Sequence, residues 1–229
     1  IKIIVIDIRG RSMNSEFLLD FLEKNNTATI TKKHHSYLTF CGLDEQYTYV
    51  LKEGVVKTSV ILKDGREFNI SYICAPDIIS LLRDEVSANT SSPFNVRIES
   101  KEAVFYKIPR VTFWKYVNNN NKLQEYIKEY YRNKLMETIF NEQIMIMNSK
   151  KGAICAFLYS LIDKFGKEEN GEIVIEFSIT NEEIAGFCGI STRNSVNRIL
   201  HELKQEKVID IVDNKIHILD REYIKTFTL

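Results

Sequence analysis

The chain has 229 residues, of which 44% are hydrophobic and 27% charged, as is typical of soluble globular proteins with room for two domains. Thirty-one basic residues balance thirty-one acidic ones, so any contact with nucleic acid must depend on a local basic patch. No apolar run approaches the roughly 18 residues of a membrane span, and no secretory signal opens the sequence. We expect a cytoplasmic protein without a membrane partner.

The first twelve residues differ in character from those that follow. Residues 1–12 are mostly aliphatic, and Met13 then opens a plausible natural start. We interpret residues 1–12 as a vector-derived leader and leave them out of the fold prediction. A genuine N-terminal strand is the alternative that the pattern allows.

The cysteines lack the paired spacing of a zinc site or of a secreted disulfide framework (Cys41, Cys74, Cys155 and Cys188). The sequence also contains no nucleophile elbow, phosphate-binding loop or metal-ligand motif. We therefore expect no metal, no cofactor and no enzymatic activity.

Residues 13–112 are expected to form a small β domain. Ser15 to Lys24 place apolar side chains at helical spacing, which predicts a short amphipathic helix. From about Thr27 to Arg110 the apolar pattern alternates with period two, and turn signals such as Lys63-Asp64-Gly65 interrupt it. Many short strands with regular turns predict an antiparallel roll, a candidate sensor domain.

A long helix is predicted over residues 113–148, because neither proline nor glycine occurs in this segment. Its apolar face is too long for a small roll to cover, so a symmetric copy of the same helix is the expected partner. A helix docked along its own domain is the alternative. The predicted contacts of the homodimer are Leu123, Ile127, Tyr131, Leu135 and Ile139.

Residues 149–229 predict a small α+β domain. Its elements are an apolar helix over 152–165, a strand over 173–177, two helices within 180–204 and a hairpin over 208–219. Thr180 and Glu183 have the spacing of a capping box, and Gly189 permits a sharp turn between the two helices. Two such helices followed by a hairpin predict a winged helix-turn-helix.

The second of these helices carries the side chains that a recognition helix needs. Arginine can bond a guanine edge, asparagine an adenine edge, and lysine a phosphate. The candidate DNA-binding residues are Ser191, Thr192, Arg193, Asn194, Ser195, Asn197, Arg198, Lys204 and Lys207.

Charge limits this interpretation, because residues 149–229 carry eleven basic and thirteen acidic residues. Residues 191–207 alone carry four basic and two acidic residues, so binding would depend on a narrow positive strip. The alternative is a sensor or interaction module whose winged helix contacts protein.

The C-terminal residues resemble the Crp/Fnr family of bacterial regulators. Residues 183–191 and 196–200, Glu-Ile-Ala-Gly-Phe-Cys-Gly-Ile-Ser and Val-Asn-Arg-Ile-Leu, match the helix-turn-helix of this family with one extra residue in the turn. Residues 203–209 resemble the branch typified by PrfA. The resemblance implies an α+β protein with a β-roll like that of cyclic-nucleotide-binding domains, a long dimerisation helix and a C-terminal winged helix-turn-helix.

The resemblance also implies a function. Members of this family are homodimeric transcription regulators that bind palindromic double-stranded promoter DNA, and RNA polymerase is a further implied partner. In the family, the positions that match Arg193, Asn194 and Arg198 read bases, and the position of Ser195 contacts the DNA backbone. The sign of regulation is left open, although many members are activators.

The resemblance does not extend to the cyclic-nucleotide site. Cyclic-nucleotide binders carry Gly-Glu-Leu and later Arg-Ser, whereas the matching stretches here are Ser80-Leu81-Leu82 and Ser92-Pro93. Without the arginine a cyclic phosphate lacks its counter-charge, so we expect no binding of cyclic AMP. PrfA-like proteins bind glutathione, and the matching segment, residues 71–74, lacks the basic residue found there.

A small effector of unknown identity, other than cyclic AMP, is a further candidate partner of the roll. The residues that could line its pocket are Tyr72, Cys74, Tyr126 and Tyr130. Aromatic packing of the long helix on the roll is the alternative interpretation of the two helical tyrosines.

Overall fold

The computed structural model describes residues 15–80, 91–147, 149–169 and 171–228. The predicted leader, residues 1–12, lies outside the described residues, as do Leu81 and Leu82 of the segment matched to the cyclic-nucleotide site. The chain divides into two compact units, Ile1–Val60 with Ser71–Glu137 and Ile61–Ile70 with Thr138–Leu229.

The N-terminal part of the chain forms one short helix and eight strands. These elements are α1 (Ser15–Lys24), β1 (Thr29–Lys33), β2 (Tyr37–Thr39), β3 (Tyr47–Glu53), β4 (Val55–Ile61), β5 (Glu67–Cys74), β6 (Asp77–Ile78), β7 (Asn95–Ile98) and β8 (Glu102–Pro109). Two four-stranded sheets result, in the orders β1-β8-β3-β6 and β2-β7-β4-β5. The helix α1 and the strands that alternate with turns follow the predicted pattern of an antiparallel roll.

The first sheet is apolar on both faces because successive residues of a strand point to opposite sides. Val50 pairs with Tyr106, and the adjacent Leu51 pairs with Phe105. Val50 and Tyr106 belong to one buried cluster together with Leu18 of α1. Leu51 and Phe105 belong to a second buried cluster, which includes Val56, Val96 and Ile98 of the other sheet. The core of the roll therefore lies between its two sheets, and the helices cover the outer face of the first sheet.

The predicted single helix over 113–148 is wrong, because the structure contains two helices there. These are α2 (Arg110–Asn118) and α3 (Asn121–Met147). The Nδ2 of Asn119 donates to the carbonyl of Lys115 at 2.8 Å, and the Oδ1 of Asn120 accepts from the amide of Leu123 at 3.1 Å. Asparagine side chains compete with the helical hydrogen bonds of the backbone in this way, so a run of four asparagines ends one helix and starts the next.

The capping bond of Asn120 supports a first prediction. Substitution Asn120→Ala removes the acceptor for the amide of Leu123, and we expect the free energy of unfolding to fall by about 1 kcal/mol. Urea unfolding followed by circular dichroism measures the change. Asn121→Ala is the matched control, because the adjacent asparagine is exposed at the start of α3 and alanine favours helix there. Equal losses in the two variants would contradict the assignment of the cap.

Helix α3 has two different apolar faces. Leu123 and Ile127 are 1% and 4% exposed and belong to the core cluster that also contains Val50 and Tyr106. Their prediction as dimer contacts is therefore wrong, since the roll of the same chain already covers them. Tyr131, Leu135 and Ile139, spaced four residues apart, are 39%, 60% and 39% exposed. The exposed apolar stripe of α3 is defined here as these three residues.

The C-terminal part of the chain is an α+β arrangement. Its elements are α4 (Lys150–Phe165), β9 (Gly166–Glu169), β10 (Glu172–Ile175), α5 (Asn181–Phe187), α6 (Arg193–Gln205), β11 (Ile209–Val212), β12 (Lys215–Ile218) and α7 (Arg221–Lys225). The four strands form one sheet in the order β11-β12-β10-β9. Helices α4, α5 and α6 and the hairpin β11–β12 agree with the sequence-based prediction, whereas β9 and α7 were not predicted. None of the helices in the described ranges is both long and apolar enough to cross a membrane.

Candidate nucleic-acid interface

Helix α5 begins at a capping box, as its sequence predicts. The hydroxyl of Thr180 accepts from the amide of Glu183 at 3.1 Å, and the carboxylate of Glu183 accepts from the amide of Thr180 at 3.0 Å. Two of the amides that a helix start leaves without helical partners are thus satisfied. Ile184 and Phe187 of the same helix are buried. The first helix of the motif is fixed at its start and along its inner face.

A sharp turn joins α5 to α6. Gly189 has a φ of +62°, the left-handed region that glycine enters without a steric cost. The amide of Ile190 then donates to the carbonyl of Ala185 at 2.9 Å, and its side chain is 5% exposed. The glycine therefore sets the change of direction, and the isoleucine fills the angle between the two helices.

Helix α6 buries one side and exposes the other. Val196, Ile199, Leu200 and Leu203 are at most 4% exposed, which fixes the rotation of the helix about its axis. The hydroxyl of Thr192 caps the helix by accepting from the amide of Ser195 at 3.3 Å. Thr192 is therefore the N-cap residue of α6.

The structure brings the predicted DNA-binding residues together on and beside α6. Ser195 is half-buried, and its hydroxyl lies 3.0 Å from that of Thr192. The others are exposed, namely Ser191, Thr192, Arg193, Asn194, Asn197, Arg198, Lys204 and Lys207. In the single chain, the exposed polar face of α6 is therefore open to a binding partner.

The basic residues of this surface differ in their partners. Lys204 pairs with Asp210 of β11 at 2.6 Å. The hydrogen bond from Lys204, with a second from the amide of Ile211, holds the pKa of Asp210 below its ordinary value. In the described part of the chain, Arg193, Arg198 and Lys207 form no ion pair. Their charges are therefore available for a polyanion, whereas Lys204 is partly neutralised by its neighbour.

A lysine of α4 holds the inner flank of α6. The Nζ of Lys151 donates to Glu202 at 3.0 Å and to Glu206 at 2.8 Å. Burial alone would lower the pKa of Lys151, but the two carboxylates more than compensate and raise it above its ordinary value. The lysine therefore stays charged at neutral pH. This pair of bonds ties the C-terminal half of α6 to α4.

The wing is the hairpin β11–β12. Asp213 and Asn214 form its turn with φ values of +50° and +62°, as a two-residue hairpin of this kind requires. Ile216 and Ile218 are buried, whereas Ile211 and Val212 are 39% and 44% exposed. An acidic residue, Asp213, lies in the turn of the wing, and it does not favour contact of the turn with a phosphate.

Two residues of the exposed face were not predicted. His201 and Gln205 are exposed, and their side-chain nitrogens lie 3.1 Å apart. They follow Asn194 and Arg198 at spacings of three and four residues, so the same helical periodicity could have identified them. They extend the candidate interface toward the C-terminal end of α6.

The four predicted effector residues do not line one common pocket. Tyr126 and Tyr130 are buried in the core cluster of the roll, where the hydroxyl of Tyr130 donates to the carbonyl of Ile78 at 3.2 Å. Tyr72 is 2% exposed and Cys74 is half-buried, and neither belongs to that cluster. Burial raises the pKa of Tyr130 well above its ordinary value, so the phenol stays neutral. Packing of the helix on the roll accounts for the two helical tyrosines.

A small cavity, partly open to solvent, lies elsewhere in the roll. Its described lining consists of Thr39, Glu45, Tyr49, Ile79, Ser80, Ser92, Pro93, Phe94 and Val96. None of the four predicted effector residues is among them. Burial and then the carboxylate of Glu45 raise the pKa of Tyr49 to about 12, so this phenol is a neutral donor at physiological pH.

Two of the cysteines are protected from reaction. Burial raises the pKa values of Cys155 and Cys188 to about 12 each. The thiolate is the reactive form of cysteine, and little of it exists at neutral pH when the pKa is this high. Within the described ranges, no group of three or more potential ligands could hold a metal ion.

Comparison with known proteins agrees with this geometry. A family profile for the Crp-like helix-turn-helix domain matches residues 152–227. The lactate racemization regulatory protein of Lactiplantibacillus plantarum is 59% identical over 209 residues, which cover 91% of this chain and 95% of that protein. The listeriolysin regulatory protein of Listeria monocytogenes is 26% identical, with 85% and 82% covered. A solved structure of a CRP-family transcriptional regulator from Thermus thermophilus has the same fold, with a TM-score of 0.72 at 18% identity over 87% of this chain and 96% of that one.

The fold and the exposed face of α6 define a transcription regulator with a helix-turn-helix DNA-binding domain. The chain belongs to the Crp/Fnr family. The predictions of this family, of its fold class and of a function in transcription regulation are confirmed.

Proposed function

We propose that this regulator is a homodimer that reads palindromic promoter DNA with α6 and controls genes of lactate racemization. The observation that carries the proposal is the exposed polar face of α6, which a buried apolar side holds at a fixed rotation. Arg193, Asn194, Asn197 and Arg198 can reach base edges from this face, and Lys207 can reach a phosphate. Thr192 and Ser195 lie at the helix start, where hydroxyls and backbone amides commonly contact the DNA backbone.

The homodimer is supported by the exposed apolar stripe of α3. Three large apolar side chains in a row are costly to leave in water, and their four-residue spacing suits a helix that packs against a copy of itself. A two-fold axis between two such helices would present two α6 helices to two half-sites of a palindrome. RNA polymerase is the expected partner of a regulator of this family at the promoter.

The link to lactate racemization is supported by the 59% identity to a protein of that name, over nearly the full length of both chains. Gel-shift titration of the purified protein with promoter DNA of lactate racemization genes tests it. We expect salt-dependent binding at least about a hundredfold tighter than to the same duplex with its sequence shuffled. Equal affinities would refute sequence-specific reading. Failure to bind any duplex, with retention of a protein partner from the lysate, would instead favour an interaction module.

We propose that a small effector, where one acts, binds in the cavity of the roll. The described lining offers the carboxylate of Glu45 and hydroxyls such as those of Tyr49, Ser80 and Ser92, and it includes no lysine or arginine. A carboxylate in the lining disfavours an anionic phosphate by like-charge repulsion. A small neutral or cationic compound suits this lining better than a nucleotide.

Cyclic AMP should therefore not bind. Isothermal titration calorimetry of the intact protein with cyclic AMP should show no heat of binding at micromolar concentrations, because the described lining provides no counter-charge for the cyclic phosphate. Adenosine is the control for recognition of the uncharged part of the molecule. A micromolar dissociation constant for cyclic AMP would refute this reading of the cavity.

A further inference from the structure

A hydrogen bond joins the two helices of the helix-turn-helix on their exposed side. The Nδ2 of Asn181, the first residue of α5, donates to the Oδ1 of Asn197 on α6 at 3.4 Å. Asn181 is half-buried and Asn197 is exposed. Asn181 takes no part in the capping box, which Thr180 and Glu183 form without it. The bond is therefore not needed to start α5, and its effect falls on the side chain of Asn197.

The direction of this bond determines what Asn197 can offer to DNA. A carboxamide has an acceptor oxygen on one side and two donor hydrogens on the other. The bond holds the Oδ1 of Asn197 toward Asn181. The Nδ2 of Asn197 therefore points away from α5. In the described part of the chain, Asn194, one turn earlier on the same face, forms no such side-chain bond. The two asparagines of α6 are thus presented differently.

We propose that Asn181 is a positioning residue, which orients Asn197 so that its amide hydrogens read a hydrogen-bond acceptor on a base edge. The acceptors in the major groove are N7 and O6 of guanine, N7 of adenine and O4 of thymine. The inference rests on the proposed DNA-binding function and names a residue outside α6 that sets the base preference of a residue within it.

The test uses the full-length protein and a library of randomised duplexes. Selection by the wild-type protein gives the preferred sequence, and selection by Asn197→Ala identifies the base position whose preference depends on Asn197. At that position Asn181→Ala should lower the preference about three- to tenfold, which corresponds to the loss of one exposed hydrogen bond. Affinities for two duplexes that differ only there measure the preference as a ratio, so a general change in binding cancels.

Asn181→Asp is the more stringent test, because an aspartate side chain has the same shape as asparagine but can only accept hydrogen bonds. Asn197 must then turn its Nδ2 toward residue 181 and present its oxygen to the DNA. The preference at the same position should shift toward a base donor, N6 of adenine or N4 of cytosine. In the Asn197→Ala background, neither substitution of Asn181 should change the ratio further. Thermal unfolding of each variant checks that the domain remains folded.

The possible results separate the inference from the function on which it rests. A wild-type protein that selects no sequence overturns both. Sequence selection that Asn197→Ala leaves unchanged at every position overturns the inference alone. The inference alone is also overturned if Asn181→Ala and Asn181→Asp keep the wild-type ratio of affinities. It is likewise overturned if they change this ratio as much in the Asn197→Ala background as in the wild-type protein.

Discussion

Substitution Arg198→Ala should reduce binding to the specific operator about ten- to a hundredfold while the protein remains folded. Arg198 is exposed on α6, adjacent to Asn197 and on the side of the helix that faces away from buried Ile199. It forms no ion pair within the described residues, so its guanidinium is free to make a bidentate contact with guanine. Such a contact discriminates between bases by roughly 1–3 kcal/mol. Fluorescence anisotropy with operator and random duplexes measures the change.

Lys207→Ala is the matched control for the loss of one positive charge. Lys207 follows the C-terminal end of α6, with a φ of +57°, and a contact with phosphate there carries no sequence information. Its loss should weaken binding to operator and random DNA alike and lower the salt slope by about one. If Arg198→Ala changes both affinities by the same factor as Lys207→Ala, Arg198 contacts only the backbone. Base reading would then have to be assigned to Asn194 and Asn197.

The elements that the sequence predicted well are those in which local chemistry and packing agree. Thr180, Glu183 and Gly189 act within a few residues of their own positions, so their roles can be read from spacing alone. The same holds for α6, where the spacing of Val196 and Leu203 places the polar side chains opposite them. The candidate interface lies almost entirely on this one helix, and for this reason most of it was predictable.

The errors concern contacts between segments distant in the sequence. Nothing in the local sequence distinguishes Leu123 from Leu135, since both are leucines in the apolar pattern of α3. Only the packing of the roll shows that Leu123 is covered and Leu135 is not. The run of four asparagines at the junction of α2 and α3 carried a local signal of a helix break, but a search for proline and glycine alone overlooked it. The bond from Asn181 to Asn197 could not be predicted, because it depends on the angle between α5 and α6.

Substitution Leu135→Asp should convert the proposed homodimer to a monomer. The side chain of Leu135 is 60% exposed in the single chain, so a carboxylate there remains in water and should not unfold the roll. In a dimer joined along the exposed stripe of α3, each copy would bury one carboxylate without a partner. An uncompensated buried charge costs about 3–5 kcal/mol, which corresponds to more than about a hundredfold in the dissociation constant. Sedimentation velocity at micromolar concentrations measures the state of association.

Two further variants show whether the stripe is specific. Lys122→Glu changes charge at an exposed position on another side of α3 and should leave the dimer intact. Leu123→Asp places the charge in the core of the roll, where the leucine is 1% exposed, and should unfold that unit. A Leu135→Asp protein that remains dimeric would show that Tyr131, Leu135 and Ile139 do not form the seam. A wild-type protein that is monomeric would remove the dimer itself, and α6 would then read a single half-site.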